Sequence, residues 1–207
     1  MKLQLALDGT LEDGLQALRP AQPWVDVVEA GTPLLLREGV RALRRLRAAL
    51  PDTPLLADFK IMDAGDLEAR LAFDAGADRV TVLGVANDAT IASALAAARD
   101  SGGEILVDLM AVPRPLQRVK RLQALGCRRF CVHRAHDGCG DPVAPLRELR
   151  AALPELQLAV AGGIDERSIE ELAPWRPDTV IVGSAITGAA QPGLAARRIM
   201  EKMRAHV

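Results

Sequence analysis

Eight short runs rich in β-branched and other apolar residues recur along the chain, each running into a charged residue or a glycine. They are LQLALD at Asp8, VDVVEAG at Glu29, LLADFK at Lys60, RVTVLG at Gly84, EILVDLM at Asp108, RFCVH at His133, QLAVAGG at Gly163 and TVIVGS at Gly183. The segments between them switch to helical spacing. In one of them Val40, Leu43, Leu46 and Leu50 share a face, while Arg41, Arg44, Arg45 and Arg47 share another,. Proline and glycine punctuate the joints: Pro51 and Pro54 before the third run, Gly76 before the fourth, Gly126 before the sixth, Pro174 and Pro177 before the eighth,. Strands alternating with helices predict parallel βαβ units. Eight such units predict one closed (β/α)8 barrel over residues 1–207, with a doubly wound open sheet as the second choice.

A barrel gathers the carboxyl ends of its strands at one mouth, and active sites of this fold lie there. Those positions and the loops just after them hold Asp8, Glu29, Asp58, Lys60, Asp63, Asp108 and His133. So many ionisable groups at a partly buried mouth are costly unless paired with each other, with a metal or with substrate. The densest stretch is LLADFKIMD, where alternation along a strand puts Asp58 and Lys60 on one face and Asp63 follows in the loop,. A lysine between carboxylates keeps its proton, so Lys60 reads as a fixed cation suited to an oxyanion such as an enediolate. The seventh run closes in Ala161-Gly162-Gly163, with Asp165 and Ser168 beyond it, and the eighth closes in Gly183-Ser184. Glycines let backbone N–H groups approach an anion, and loops after strands seven and eight are where such barrels bind phosphate. A phosphorylated ligand is expected.

A net charge of −1 and five aromatic residues, none of them tyrosine, do not make the basic stacking surface that nucleic acids require. Met1 leads straight into the first run with no charged-then-apolar leader, and no apolar stretch is long enough to span a bilayer, so a cytoplasmic protein is expected,. Arg37 to Arg47 reads as the solvated face of one helix. Cys127, Cys131 and Cys139 lie near His133 and His136, but their spacing fits no closed zinc pattern, and buried thiols in a reducing compartment are the simpler reading,. Trp24 and Trp175, beside prolines, read as packing residues, Met200 and Met203 as core or helix-face residues, Asp88 as a helix cap, and His206 as part of a tail,.

From LQLALD through DVVEAGTPLLLREG, ADFKIMDAG, AFDAGADRVTVLGVANDATI, ILVDLM, AVAGGI and DTVIVGSAIT, nearly the whole chain resembles the 3-hexulose-6-phosphate synthases. These belong to the orotidine 5′-monophosphate decarboxylase suprafamily, together with the 3-keto-L-gulonate-6-phosphate decarboxylases. The D-x-K-x-x-D signature of Asp58, Lys60 and Asp63 is similar across the suprafamily, whereas the longer run DFKIMDAG with GADRVTVLGVANDATI resembles the synthases.

The resemblance implies a Mg2+-dependent aldol condensation of D-ribulose 5-phosphate with formaldehyde, or its reversal. Decarboxylation of 3-keto-L-gulonate 6-phosphate, or lyase chemistry on a related phosphosugar, is the implied alternative. It further implies Mg2+ on Glu29 and Asp58, an enediolate stabilised by Lys60, and Asp8 in contact with substrate and lysine. His133 would move protons, the base that forms the enediolate being His133 or a carboxylate such as Asp63, and Gly162, Gly163, Gly183 and Ser184 would hold phosphate. Asp63 would reach the partner's site in a homodimer. Asp108, Ala161 and Ser184 stand where the decarboxylases carry Glu, Thr and Arg. The sixth loop, VHRAHDGCGDPVAPL, departs from the synthases: Arg134 resembles the decarboxylases, His136 matches neither, and both are candidate substrate contacts. Drift, a changed substrate and loss of turnover are all open readings of that loop.

Overall fold

The computed structural model describes residues 1–138 and 141–206. All eight apolar runs form strands: β1 (Lys2–Leu7), β2 (Val27–Ala30), β3 (Leu55–Ile61), β4 (Arg79–Leu83), β5 (Glu104–Asp108), β6 (Arg129–His133), β7 (Gln157–Ala161) and β8 (Thr179–Val182). They pair in parallel and in chain order, and β8 closes back onto β1. Helix α1 (Leu11–Ala21) follows β1, and α2 (Thr32–Glu38) and α3 (Arg41–Ala49) follow β2. The later connections carry α4 (Gly65–Asp74), α5 (Asp88–Ser101), α6 (Pro115–Ala124), α7 (Val143–Ala152) and α8 (Ser168–Leu172), with α9 (Ser184–Thr187) and α10 (Pro192–Arg204) after β8.

The strands are apolar on both faces because both faces are covered. Outward residues such as Leu3, Leu5, Val80, Val82, Phe130 and Val160 pack with helix residues such as Leu18, Leu43, Ile91 and Leu149 into one continuous core. Inward residues Ala6, Val27, Leu56, Leu106, Cys131, Ala159, Ala161 and Ile181 fill the barrel as a separate layer. That layer divides each inward series. On β5 it runs Glu104, Leu106, Asp108, and on β6 Arg129, Cys131, His133, so charged groups are left at the two ends and apolar ones in the middle.

Several sequence expectations need correction. The Arg37–Arg47 segment is not one helix: Gly39, at φ 66°, ends α2, and α3 starts anew. Arg47 is not solvated either. Its guanidinium donates to the carbonyls of Leu50, Pro51, Thr53 and Gly76 and pairs with Asp78, tying α3 to the entries of β3 and β4. Asp88 does not cap α5, since Asn87 holds the cap position and the Asp88 carboxylate is taken by Arg118 and Arg121 from α6.

Trp24 and Trp175 do pack, each half-buried in a short 3-10 turn ahead of a strand, with Arg197 and Arg147 over their rings at 5.7 and 5.8 Å,. Met200 and Met203 are buried on α10, and His206 lies exposed just beyond its end. Cys127 and Cys131 are buried free thiols, while Cys139 falls outside the described residues. Among the described residues no helix is long and apolar enough to cross a membrane.

Candidate active site

The key lysine reaches the mouth through a break in its own strand. Between the pairs Ala57–Val80 and Ile61–Val82, β3 carries two more residues than β4, and Lys60 sits in this bulge at φ 49°. A non-glycine residue in that region is strained, and bulges beside active sites re-aim side chains. The Lys60 N–H donates to Thr81 Oγ1 at 2.8 Å, which holds the bulge. Alternation is therefore interrupted, yet Asp58 and Lys60 still meet, as the sequence predicts.

The Lys60 ammonium pairs with Asp58 and lies 3.6 Å from Asp108 Oδ2. Asp58 accepts further bonds from Thr32 Oγ1 at 2.8 Å and Thr81 Oγ1 at 2.7 Å. Asp108 accepts from the Met110 N–H at 2.9 Å and joins His133 Nδ1 at 2.7 Å. Four side chains from β3, β5 and β6 thus form one network. With Asp108 ionised, its partner nitrogen is assigned the proton, which leaves His133 Nε2 with a lone pair.

Burial alone would lower the Lys60 pKa, but Asp58, with Asp108 and Glu29 behind it, offsets this and holds it above the ordinary lysine value. Burial likewise pushes Asp108 up, but the His133 hydrogen bond and charge, the Met110 N–H and Lys60 together outweigh it, so that carboxyl lies below its ordinary value. Glu29 goes the other way. Burial, reinforced by the Asp58 charge, raises it to about 8, against a smaller opposing effect from the Gln4 amide that donates to it. Asp8 is also raised, first by lost solvation and then by Asp58. Its carboxylate is fitted between two strand ends: a Cβ on Gly31 would fall 2.0 Å from Asp8 Oδ1, and one on Gly183 3.2 Å from Oδ2.

Glu29 and Asp58 suit a hard cation. Both are buried oxygen donors, and the Asp58 charge adds to burial in raising Glu29, a repulsion that a divalent ion would relieve,. Among the described residues no group of three or more His, Cys, Asp or Glu side chains gathers as a metal cluster. Mg2+ does not need one, since it commonly binds through one or two carboxylates and keeps its waters.

At the end of β7 the backbone is shaped as the paired glycines suggest. Gly162 and Gly163 lie at φ 100° and 67°. The β6 loop crosses directly behind them: a Cβ on Gly162 would fall 2.1 Å from the Arg134 carbonyl oxygen, and one on Gly163 1.8 Å from Arg134 Nη2. Arg134 thus lies against the paired glycines, and its N–H donates to the Ala161 carbonyl at 3.1 Å. Ala161 is buried beneath this loop, and Ser184 is exposed at the start of α9. Asp165 caps the turn into α8 by accepting from the N–H groups of Arg167 and Ser168.

Two expected site residues stand apart from the network. Asp63 is exposed at the rim and, among the described residues, accepts only from its neighbour, the Ala64 N–H, while His136 is fully exposed beside Asp137. Conversely, Gln4, Thr32 and Thr81 hold the metal-type carboxylates and carry no role in the sequence reading. Gln4 and Thr81 did leave a signal, each being a polar residue at an inward position of an otherwise apolar strand.

A closed parallel barrel whose charged, partly buried mouth gathers Asp58, Lys60, Asp108 and His133 at the strand ends is a (β/α)8 barrel with its candidate active site where that fold places one,. The particular family follows from likeness to known proteins. The model of the Orotidine 5′-phosphate decarboxylase / HUMPS family matches residues 1–199, and the chain belongs to that family. It is 38% identical over 205 residues to 3-hexulose-6-phosphate synthase of Bacillus subtilis, covering 97% of this chain and 98% of that one. Among solved structures, 3-hexulose-6-phosphate synthase from Salmonella typhimurium superimposes with a TM-score of 0.96 at 41% identity over the full length of both chains. KGPDC from Streptococcus mutans superimposes at 0.92 with 28% identity, covering 99% of this chain and 97% of that one.

Proposed function

We propose that the protein condenses D-ribulose 5-phosphate with formaldehyde to a 3-hexulose 6-phosphate, and cleaves that product in reverse, through a 1,2-enediolate. The observation that carries this reading is the Lys60 ammonium fixed between Asp58 and Asp108, with His133 joined to the same Asp108. Its relatives' names support the same chemistry. Mg2+ held by Glu29 and Asp58 would supply Lewis-acid polarisation of the substrate carbonyl. His133 Nε2 takes the C1 proton, and Asp108 steadies the imidazolium that forms. Lys60 stabilises the negative charge on the enediolate oxygens. C1 then attacks the formaldehyde carbon, the C=O π pair moves onto oxygen, and the resulting alkoxide takes back the proton held on His133 Nε2. The backbone N–H groups around Gly162, Gly163, Gly183 and Ser184 hold the phosphate.

Deuterium exchange tests the first half alone. In D2O, without formaldehyde, the folded protein should exchange the C1 hydrogen of D-ribulose 5-phosphate; an unexchanged substrate would remove the enediolate. A second reading is favoured by Arg134 and the KGPDC likeness: loss of CO2 from 3-keto-L-gulonate 6-phosphate gives the same enediolate, which His133 would protonate. Release of CO2 from that substrate distinguishes the two.

The Glu29 pKa sets a pH dependence. Without metal its proton is kept up to about 8, whereas the unfolded side chain loses it near 4.5. Its contribution to stability is therefore fully present below the unfolded value and is lost as pH rises through the folded one. The metal-free protein should melt at lower temperature as pH is raised from about 5 to about 9. Mg2+ affinity should rise over the same range, because binding displaces that proton. Equal Mg2+ affinity at about pH 6 and about pH 9 would contradict the assignment of Glu29.

A homodimer sharing its sites would draw on exposed apolar residues, Leu36 of α2, Leu67 and Leu71 of α4, and Met62 next to Asp63 in the loop before α4,. Sedimentation should give a dimer; a monomer at working concentration would leave Asp63 without a role. The two buried free thiols agree with a cytoplasmic location, which cell fractionation tests,.

A further inference from the structure

The amino-terminal end of the barrel, opposite the mouth, carries a charge arrangement that the proposed reaction does not use. Strands β4, β5 and β6 open with Arg79, Glu104 and Arg129. Glu104 accepts from Arg79 Nε at 2.9 Å and from Arg129 Nη2 at 2.8 Å, so one carboxylate serves two guanidinium groups. Both arginine side chains are largely withdrawn from solvent, at 17 and 30% exposure, and one positive charge is left over in the floor. Asp178, on the same wall, is already occupied by Arg150 at 3.0 Å and by the Leu158 N–H at 2.8 Å. Lys2 and Arg176 complete the rim, with no ion-pair partner among the described residues.

These groups line a cavity of about 540 Å3, in which Gln157 and Thr179 add neutral hydrogen-bonding groups. Arg176 holds φ 45°, a conformation in which glycine would be unstrained, so a long cation is kept there at a local cost,. With Glu104 and Asp178 both already paired, the cations of the wall outnumber its anions, and guanidinium forks match phosphate oxygens,.

We propose that this cavity is a second, non-catalytic site for a small molecule with two anionic groups, such as a diphosphate or a bisphosphorylated metabolite. One group lies at the Arg79–Arg129 floor and the other at the Lys2–Arg176 rim. The site stands apart from the mouth and from the reaction assigned to it.

Calorimetric titration with inorganic pyrophosphate in chelator tests it. Ser184→Asp places a negative charge in the mouth's phosphate loop and suppresses binding there, so the expected result is one pyrophosphate per Ser184→Asp chain. Adding Lys2→Ala and Arg176→Gly should weaken that binding about tenfold or more with no fall in melting temperature. Equal affinity with and without those two cations, or no binding to Ser184→Asp, would overturn the proposal.

Discussion

Lys60→Ala should lower turnover by about three orders of magnitude or more, which corresponds to roughly 4 kcal/mol of lost transition-state stabilisation. The reason is placement. The ammonium is fixed by Asp58 and Asp108 before substrate arrives, so no reorganisation is needed when negative charge develops on the enediolate,. The barrel should survive the change: Asp58 keeps its donors Thr32 and Thr81, and Asp108 keeps His133 and the Met110 N–H. Circular dichroism and a melting curve check folding alongside the rate. Lys60→Arg should not restore the rate, because a planar fork cannot occupy the point-charge position between two carboxylates. Near-normal turnover by a folded Lys60→Ala protein would contradict the role given to it.

His133→Ala should cost about two to four orders of magnitude, the usual range for a positioned general base. It should also abolish C1 deuterium exchange, whereas loss of a mere packing residue would leave exchange intact. Asp108→Asn separates the two halves of the pair. The amide still accepts a hydrogen bond from Nδ1 but no longer balances the imidazolium, so turnover should fall by less than in His133→Ala and the pH profile should move. Exchange at the normal rate in His133→Ala would transfer the base to another group.

The barrel was legible because its strands are short apolar runs bounded by glycine, proline and charge: seven of the eight runs end within one residue of the observed strand, and the seventh runs two residues past Ala161 into the paired glycines,. The site was legible where charged residues terminate those runs. What the sequence concealed is long-range or conformational. The Lys60–Asp108 pair joins residues far apart in the chain, and the β3 bulge that aims Lys60 has no glycine or proline to announce it. The Asp88 cap failed because two arginines from another helix outcompete the local backbone N–H groups. Arg47 looked solvated by helical spacing, yet the carbonyls that capture it belong to the turns beyond α3. The ring of Arg79, Glu104 and Arg129 did leave a trace, as a charged first residue on three successive strands, but only closure of the barrel brings those residues together.

The most direct test of the central claim is formaldehyde consumption by the purified protein with D-ribulose 5-phosphate, measured with Mg2+ and again with excess chelator. Consumption that requires both the sugar phosphate and the metal is the predicted result. A folded protein that consumes no formaldehyde under those conditions would contradict the synthase reading and direct attention to CO2 release and to Arg134.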